Sequence, residues 1–362
     1  MHLHNHTQFS LLDGLTQLGP LLDYAKEQGM SAIAKTDHGT LSGSIEFYKE
    51  ALARDIKPII GIETYVAARK HTDKDPALDK QRYHLVLLAM NNQRYKNIMR
   101  LSTVANLDGF YYYPRIDHDL LKQHNEGIIA LSACMGSEIG SFLKNGQYKK
   151  AKQTAEWYKS IFGDRYYLEI QDHGHPNNPL PNKEQETINT QILRLGKELA
   201  IKVVVTCDAH YLKHEDQDAH EVLLCVGTGS YVSDEKRMSL KEFPLHVESP
   251  TNIIERWGTD NPDVITNTRD IAQRIEVNIE LGNILIPKFP VPDGYNEKTY
   301  LHKLVYEGLA DRYCDTSASN VTKQTKKADS NTALPQAVID RTEYELGVID
   351  AMGFNGYFLI IW

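Results

Sequence analysis

The chain opens on a cluster of imidazoles. Its first ten residues, MHLHNHTQFS, place histidines at alternate positions, His2, His4 and His6. Side chains two residues apart on an extended strand project to the same side, so a His-x-His pair can present two ligands to one metal ion. An expression-tag remnant or a solvent-exposed histidine run has the same appearance, and these residues alone leave that alternative open.

Other potential metal ligands stand at or just after short apolar segments further along the chain. They are Asp37 and His38, Glu63, Cys134, Asp172 and His173, and Asp208 and His210. Asp13 lies in the loop after the opening segment, and His84 lies near the start of another apolar run. Imidazole, carboxylate and thiolate groups are the ligands that proteins offer to zinc and manganese.

Each of these residues also has an ordinary structural explanation. The TDHG motif that contains His38 is typical of a turn, Cys134 of a small buried apolar side chain, and Asp208 of a helix N-cap. Glu63 is harder to explain in this way, because a carboxylate in an apolar strand needs a partner. Together the residues outnumber the ligands of one tetrahedral ion and predict a cluster of two or three ions. Such clusters generate hydroxide for attack on phosphorus, so phosphoester hydrolysis is the favoured reaction.

Short apolar segments alternate with amphipathic ones along most of the chain. The segments that predict buried strands are residues 30–36, 57–67, 83–90, 127–133, 165–171 and 201–207. The segments that predict helices are residues 18–29, 42–55, 91–106, 147–163, 183–200 and 267–279. This alternation indicates βα units around a parallel sheet or barrel, in which functional side chains lie at the carboxyl ends of the strands. The position of His84 departs from that rule.

Composition limits the class of protein. The 362 residues are 41% hydrophobic and 24% charged, which is ordinary for a soluble globular chain of two domains, or of one barrel with an appendage. With no secretory signal pattern and no bilayer-spanning apolar run, we expect a cytoplasmic protein that does not bind membranes. The four cysteines are widely spaced, which argues against disulfides. A net charge of −8 counts against a surface that binds nucleic acid all over, but not against a local basic track.

The pattern changes after about residue 250. A proline-rich connector spans residues 284–295, and helices are predicted over 297–313 and 334–353. Residues 314–333 are polar and rich in Thr, Ser and Lys, which predicts a mobile insertion. The chain stops on the apolar run FNGYFLIIW, from which we expect it to be the N-terminal piece of a longer protein.

Several motifs carry a family resemblance. HLHNHTQFSLLDG, TDHG, the GIE of PIIGIE, and TCDAHYL together resemble the PHP (polymerase and histidinol phosphatase) domain. SLLDG, GSIEFYKEALARDIKPIIGIETYVA, ANLDGFYYYPRID and EYELGVIDAMGFNGYFLIIW resemble more specifically the N-terminal region of the bacterial replicative DNA polymerase III alpha family. The resemblance covers nearly the whole chain apart from residues 314–333.

The resemblance implies an α/β fold, namely a distorted TIM-like (β/α)7 PHP barrel followed by the beginning of a polymerase palm. We accordingly predict a metal-binding barrel domain over residues 1–270. Residues 271–362 would form a connector and a truncated part of the palm, with the polar insertion at 314–333.

The resemblance also implies a ligand set and two to three divalent ions, zinc before manganese. The implied ligands are His4, His6, Asp13, His38, Glu63, His84, Cys134, Asp208 and His210. His2 is assigned a supporting or structural role. His173 and His175 lie in a Gly/Pro/Asn-rich loop and are interpreted either as part of a solvated loop or as substrate contacts. Because Met1 directly precedes His2, we expect the start of the first strand to be frayed.

By the same resemblance, the full-length protein is a DNA-directed DNA polymerase, a nucleotidyltransferase of chromosome replication whose catalytic aspartates lie beyond Trp362. Its PHP domain is expected to be a metal-dependent 3′–5′ exonuclease that proofreads new DNA. The implied partners are DNA at the primer 3′ end and other replicase subunits, such as the sliding clamp and a separate exonuclease. A metal-stabilised scaffold that docks a separate exonuclease is the main alternative, and a small-molecule phosphatase is the third.

Overall fold

The structure is a computed structural model, and it describes residues 1–173, 183–283, 285–313 and 334–362. The chain divides into two compact units, Met1–Ile279 and Glu280–Trp362. The boundary predicted between residues 270 and 271 falls inside the helix Pro262–Arg274, which belongs to the first unit. The domain assignments themselves remain predictions.

The predicted strands are all present, but the helix predicted over residues 267–279 lies at Pro262–Arg274, and several short elements were not predicted. The strands are β1 Ala32–Lys35, β2 Lys57–Ala67, β3 Arg82–Ala89, β4 Arg115–Ile116, β5 Ile128–Leu131, β6 Tyr166–Gln171 and β7 Val203–Thr206. The helices of the first unit are α1 Leu18–Glu27, α2 Ser44–Leu52, α3 Asn92–Leu107, α4 His118–His124, α5 Glu138–Lys144, α6 Tyr148–Phe162, α7 Lys183–Leu199, α8 Gln217–Thr228, α9 Pro250–Trp257 and α10 Pro262–Arg274. Those of the second unit are α11 Glu297–Tyr313, α12 Gln336–Met352 and α13 Asn355–Ile361.

The strands form one sheet in the order β1-β2-β3-β5-β6-β7, with the short β4 paired to β2. Most neighbours are parallel, as predicted, but β3 runs antiparallel to both β2 and β5. The connection between β2 and β3 contains turns and bends but no helix. A parallel return needs a crossover, usually helical, so the chain instead turns back as an antiparallel neighbour.

The opening segment, residues 2–6, closes this sheet into a barrel. On one side it accepts backbone hydrogen bonds from β1 and the residue after it, Ala34 N to His2 O (2.9 Å) and Thr36 N to Asn5 O (3.0 Å). On the other side His6 N donates to Ala209 O (2.7 Å), just beyond β7. The expectation of a frayed start is therefore wrong, because the segment is buried and bonded along both edges. The distorted TIM-like barrel is confirmed.

The core lies on both faces of the strands. Nearly every residue of β1, β2, β5, β6 and β7 is buried, which is typical of parallel strands covered by helices. Helix α1 shows how a covering helix is encoded: Pro20 stands in its first turn, and Leu21, Leu22 and Ala25 form its buried face.

The second unit is a small helical assembly. Leu301 of α11, Leu346 of α12 and Leu359 of α13 form its buried centre. The terminal run FNGYFLIIW is helical over Asn355–Ile361, while the predicted insertion at 314–333 lies outside the described residues. Among the described residues, none of the helices has both the length and the apolar character to span a bilayer.

The contact between the opening segment and β1 predicts that the stability of the barrel is sensitive to substitution of Asn5. Its buried side-chain amide donates to Ala34 O (2.9 Å) and so ties the opening segment to β1. Because Asn5→Ala leaves a buried carbonyl with one partner fewer, we expect it to lower the free energy of unfolding by about 1–3 kcal/mol. Urea titration measures this change. Asn106→Ala, at an exposed site on α3, is the matched control, and equal stability of the two variants would contradict the assignment.

Candidate metal centre

The predicted ligands converge on one end of the barrel. The opening segment carries His4 and His6, and the loop after it carries Asp13; His38 follows β1, Glu63 lies in β2, His84 is at the start of β3, Cys134 follows β5, and Asp208 and His210 follow β7. The antiparallel direction of β3 explains the exceptional position of His84. Its amino end lies where the parallel strands have their carboxyl ends.

Glu63 lies at the centre of the cluster. Its fully buried carboxylate is approached by His38 Nδ1 at 2.6 Å and His84 Nδ1 at 3.0 Å. His4 Nε2 is 3.3 Å from its Oε1. One carboxylate thus has imidazoles from three different elements around it.

Asp208 forms the second focus. Its Oδ1 lies 3.1 Å from His4 Nε2 and 3.2 Å from His6 Nε2, and these two ring nitrogens are 3.2 Å apart. Asp208 has a left-handed backbone conformation, with φ of 47°. A residue other than glycine adopts this conformation at a cost, and such strain is often found at functional sites.

A third group surrounds Asp13. Its Oδ2 lies 2.9 Å from His38 Nε2 and 3.8 Å from His210 Nε2. The ring of His6 is adjacent to those of both His38 and His210, with centroids 4.0 and 4.2 Å away. Cys134 is at the edge of the cluster, where its Sγ is 3.5 Å from His84 Nδ1.

The donor set fits divalent cations. Three triplets have potential ligand atoms within 4.8 Å of one another, namely His6–His38–His210, His4–His6–Asp208 and His38–Glu63–His84. Glu63 Oε2, Asp208 Oδ1 and His38 Nδ1 are buried, yet none has a partner with hydrogen-bond geometry in the described parts of the chain. Buried polar atoms are costly without partners, and bound cations would supply them.

The electrostatics of the cluster are those of crowded, mutually compensating charges. Burial disfavours a charged His4, but the carboxylates of Asp208, Glu169 and Glu63 outweigh this effect and raise its pKa well above the usual value. Burial likewise disfavours a charged His38, yet Glu63 and Asp13 raise its pKa to about 10. Imidazoles must be neutral to bind a metal, so a divalent cation would displace protons from these two rings.

His6 and Cys134 differ from these rings. Burial, together with the neighbouring His38 and His210, lowers the pKa of His6 to about 3, so its ring is neutral. Burial and the carboxylates of Asp208 and Glu63 raise the pKa of the Cys134 thiol well above its usual range. The thiol would need a nearby cation to become a thiolate ligand.

Glu169 is the main residue that sequence reasoning missed. It lies in β6, fully enclosed, and its Oε1 is 2.7 Å from His4 Nδ1. Ala133 N and Thr206 Oγ1 also donate to it, at 3.0 and 2.5 Å. A carboxylate of this kind fixes the orientation and tautomer of a metal-binding imidazole. The sequence does indicate this residue, because Glu169 is a carboxylate in an apolar strand just as Glu63 is.

Asp37, in the TDHG motif, braces the loop that follows the opening segment. It accepts hydrogen bonds from Thr7 N (2.6 Å) and Ser10 Oγ (2.7 Å) and pairs with the buried Lys35 (2.5 Å). Ser10 Oγ in turn lies 3.0 Å from His6 Nδ1. A second residue missed by sequence reasoning, His220 of α8, has its Nε2 2.8 Å from the backbone carbonyl of Asp13.

The remaining histidines singled out by sequence lie outside these groups. His2 Nε2 is 2.8 Å from the carbonyl of Glu248, and burial lowers the pKa of His2 to about 4, which fits a structural role. His173 Nε2 is 3.1 Å from Gln171 Oε1, and its ring packs edge-on against Phe243. His175 lies outside the described residues.

Two family models match separate parts of the chain. Residues 2–173 match the PHP domain, and residues 299–362 match the bacterial DNA polymerase III alpha NTPase domain. The chain is 39% identical over its whole length to DNA polymerase III subunit alpha of Borreliella burgdorferi. It is 37% identical over 99% of its length to that of Thermus aquaticus. The chain is thus similar over its whole length to a part of bacterial DNA polymerase III alpha subunits. The resemblance drawn from the sequence motifs is confirmed.

The chain spans 30% and 33% of the lengths of these two relatives. Solved structures with a distant likeness include an amidohydrolase from Chromobacterium violaceum, with a TM-score of 0.40 and 13% identity over 58% of this chain and 87% of that one. A two-domain protein containing a predicted PHP-like metal-dependent phosphoesterase from Bacteroides vulgatus has a TM-score of 0.34 and 14% identity over 67% of this chain and 61% of that one.

The position of Glu169 predicts that it tunes metal binding through His4. We expect Glu169→Gln to weaken zinc binding by about 10–100-fold, because the neutral amide no longer polarises and orients the imidazole. Titration of metal-depleted protein with zinc in the presence of a competing chelator measures this affinity. Glu186→Gln, at an exposed site on α7, is the matched control. An unchanged affinity in Glu169→Gln would show that His4 does not depend on this carboxylate.

Because the cluster joins strands from the whole barrel, we expect ion removal to weaken the fold. Ligands that bind only the native state stabilise it by about 3 kcal/mol at a hundredfold excess over Kd, so a chelator should lower the melting temperature by about 5–10 °C. Scanning calorimetry with metal analysis of the protein measures both quantities. In Asp208→Asn the chelator should have little effect, and an equal drop there would place the stabilising ion elsewhere.

Proposed function

We propose that this chain is the N-terminal part of a replicative DNA polymerase III alpha subunit and that its PHP domain is a metal-dependent 3′–5′ exonuclease with a proofreading role. The observation that carries this proposal is the complete set of predicted donors gathered at one end of the barrel around Glu63 and Asp208. A barrel retained only as a fold would not need to keep so many buried charged and polar groups together.

His4, His6, Glu63, Cys134 and Asp208 would hold two ions, and His38, His84, Asp13 and His210 would complete the cluster and a third. Zinc suits this mixture of imidazole, carboxylate and thiolate best, with manganese next. Such ions, when bound, polarise a phosphodiester and lower the pKa of a bound water so that hydroxide is present at neutral pH.

The chain itself supplies orientation and access. Glu169 holds the ring of His4, and Ser10, itself bonded to Asp37, holds that of His6. His38 and Asp13 are partly exposed, whereas His4, His6 and Glu63 are not. A phosphodiester would therefore enter on the side of His38 and Asp13.

The main alternative is a metal-stabilised scaffold that docks a separate proofreading exonuclease. It is favoured by a specific observation, because the ligands His4 and His6 belong to the segment that closes the barrel. A metal bound there would stabilise the fold even without catalysis. A small-molecule phosphatase is the third candidate, and the similarity to replicative polymerases over the whole chain counts against it.

In the full-length protein the proposal includes DNA-directed DNA synthesis, carried out by catalytic residues beyond Trp362, in the cytoplasm. Its partners would be the primer 3′ end, the sliding clamp and, in the scaffold alternative, a separate exonuclease subunit. These assignments are supported by the relatives, which are named as alpha subunits.

The proposal predicts a metal-dependent loss of mismatched 3′ nucleotides. Full-length protein of known metal content is incubated with a primer that carries a 3′ mismatch. We expect Asp208→Asn to slow removal by a hundredfold or more, because ion-assisted charge stabilisation is worth several kcal/mol, roughly 1.4 kcal/mol per factor of ten. Asp260→Asn, at an exposed position, is the matched control and should retain the wild-type rate.

Three results would speak against the proposal. Removal that persists in Asp208→Asn would place the nuclease at another site. No removal by a folded, metal-loaded wild type would favour the scaffold. Cleavage of a small phosphate monoester without cleavage of DNA would favour the phosphatase.

A further inference from the structure

The segment 108–114, DGFYYYP, lies beside the metal centre and has no part in the chemistry described so far. We call it the aromatic loop. It joins α3 to β4, and Phe110, Tyr112 and Tyr113 are exposed at its surface. Exposed large aromatic side chains grouped in one loop point to a binding surface.

The aromatic loop lies against the residue that follows His38. Gly39, the neighbour of His38, has φ of 63°, and a Cβ built on it would lie 2.9 Å from Pro114 Cγ. Gly39 is therefore required both by its backbone conformation and by the close approach of the loop.

A row of rings leads from the metal centre to the surface. The ring of Tyr65 is 6.0 Å from that of His38 and 5.0 Å from that of Tyr113, between centroids. The guanidinium carbon of Arg82 lies 3.5 Å from the centroid of the Tyr113 ring. Arg82 Nε is buried without a hydrogen-bond partner in the described ranges, and no carboxylate there pairs with the group. A cation of this kind is available to a phosphate.

The loop is held rigidly and against its own conformational preference. Arg115 fixes its base by donating to the backbone carbonyls of Gly109, His71, Asp73 and Asp79, at 2.7–3.2 Å. Tyr112 stands at the tip with φ of 60°, and Tyr111 N bonds to Tyr113 O across it (3.1 Å). A bulky residue in the left-handed region is strained, and burial does not explain it here, because Tyr112 is 64% exposed.

We propose that the aromatic loop binds unpaired bases of single-stranded DNA and so delivers a frayed 3′ end to the metal centre. Tyrosine rings stack on any base, and Arg82 is placed to bind the adjoining phosphate. The loop would bind unpaired ends in preference to paired ends, because the faces of paired bases are already stacked on neighbouring bases. This inference rests on the proposed function, since it names the form of DNA that the site accepts. A docked protein would contact the same tyrosines, but it would not require beside them a guanidinium that is stacked on a ring and has no carboxylate partner in the described ranges.

Binding of a labelled oligothymidylate with a hydrolysis-resistant phosphorothioate 3′ linkage, followed by fluorescence anisotropy, tests the proposal on the metal-loaded chain. An abasic strand of equal length has the same charge but no bases. The wild type should prefer oligothymidylate. Tyr112→Asn and Tyr113→Leu should each weaken its binding by about tenfold and leave binding of the abasic strand unchanged.

The control variants separate stacking from folding. Tyr112→Asn should not lower the melting temperature, because asparagine tolerates a positive φ better than tyrosine does. Tyr113→Phe keeps the ring and should keep the affinity. Tyr344→Asn removes a tyrosine of similar exposure, 62%, from α12 and should have no effect on binding.

Equal affinity of the wild type for the two strands, or unchanged affinity in both tyrosine variants, would overturn the proposal and leave the loop as a protein-docking surface. Hydrolysis of bis(4-nitrophenyl) phosphate, a small diester without a polynucleotide strand, reports on the metal centre when no strand has to be delivered to it. If tyrosine-dependent binding is found without any hydrolysis, the exonuclease proposal fails and the base-binding loop stands. If the tyrosine variants lose hydrolysis of this small diester as well, the loop stabilises the metal centre and does not bind the DNA strand.

Discussion

The architecture of the first unit depends on the burial of one carboxylate. Glu63 lies inside the barrel with no exposure to solvent, where an ionised group is tolerated only with partners close by. Its partners, His4, His38 and His84, come from three different elements. The opening segment, the carboxyl end of β1, the Glu63 position of β2 and the amino end of β3 must therefore meet at the same place. The reversed direction of β3 is what brings His84 there.

Much of this arrangement could be predicted from residue types and periodicity. Apolar runs of strand length located the main strands to within a few residues, and the chelating residues at their ends indicated a shared site. The pairing of each ligand could not be predicted, because it depends on strand direction and on long-range closure. His84 shows this most clearly: its role follows from a helix-free connection, which determines the direction of β3. Glu169 was within reach of the same reasoning as Glu63 and was missed.

Backbone strain is concentrated where the proposed chemistry takes place. Asp208 and Tyr112 both have a left-handed conformation, one among the metal ligands and one at the tip of the aromatic loop. Neither position is a helix end, where such a conformation would be routine. Strained residues persist only when their surroundings hold them, and each is held here by nearby contacts: His4 and His6 around Asp208, and Arg115 below Tyr112.

The seam between the opening segment and the residue after β7 also constrains how the domain is made. His6 N bonds to Ala209 O, so the opening segment pairs with residues synthesised some two hundred positions later. Such non-local pairing slows folding, because a long loop must close before the contact is gained. Until then the apolar Leu3 and the edge of β1 stay uncovered. The nascent barrel is thus an open sheet for most of its synthesis. The ligand cluster is complete only when the barrel has closed.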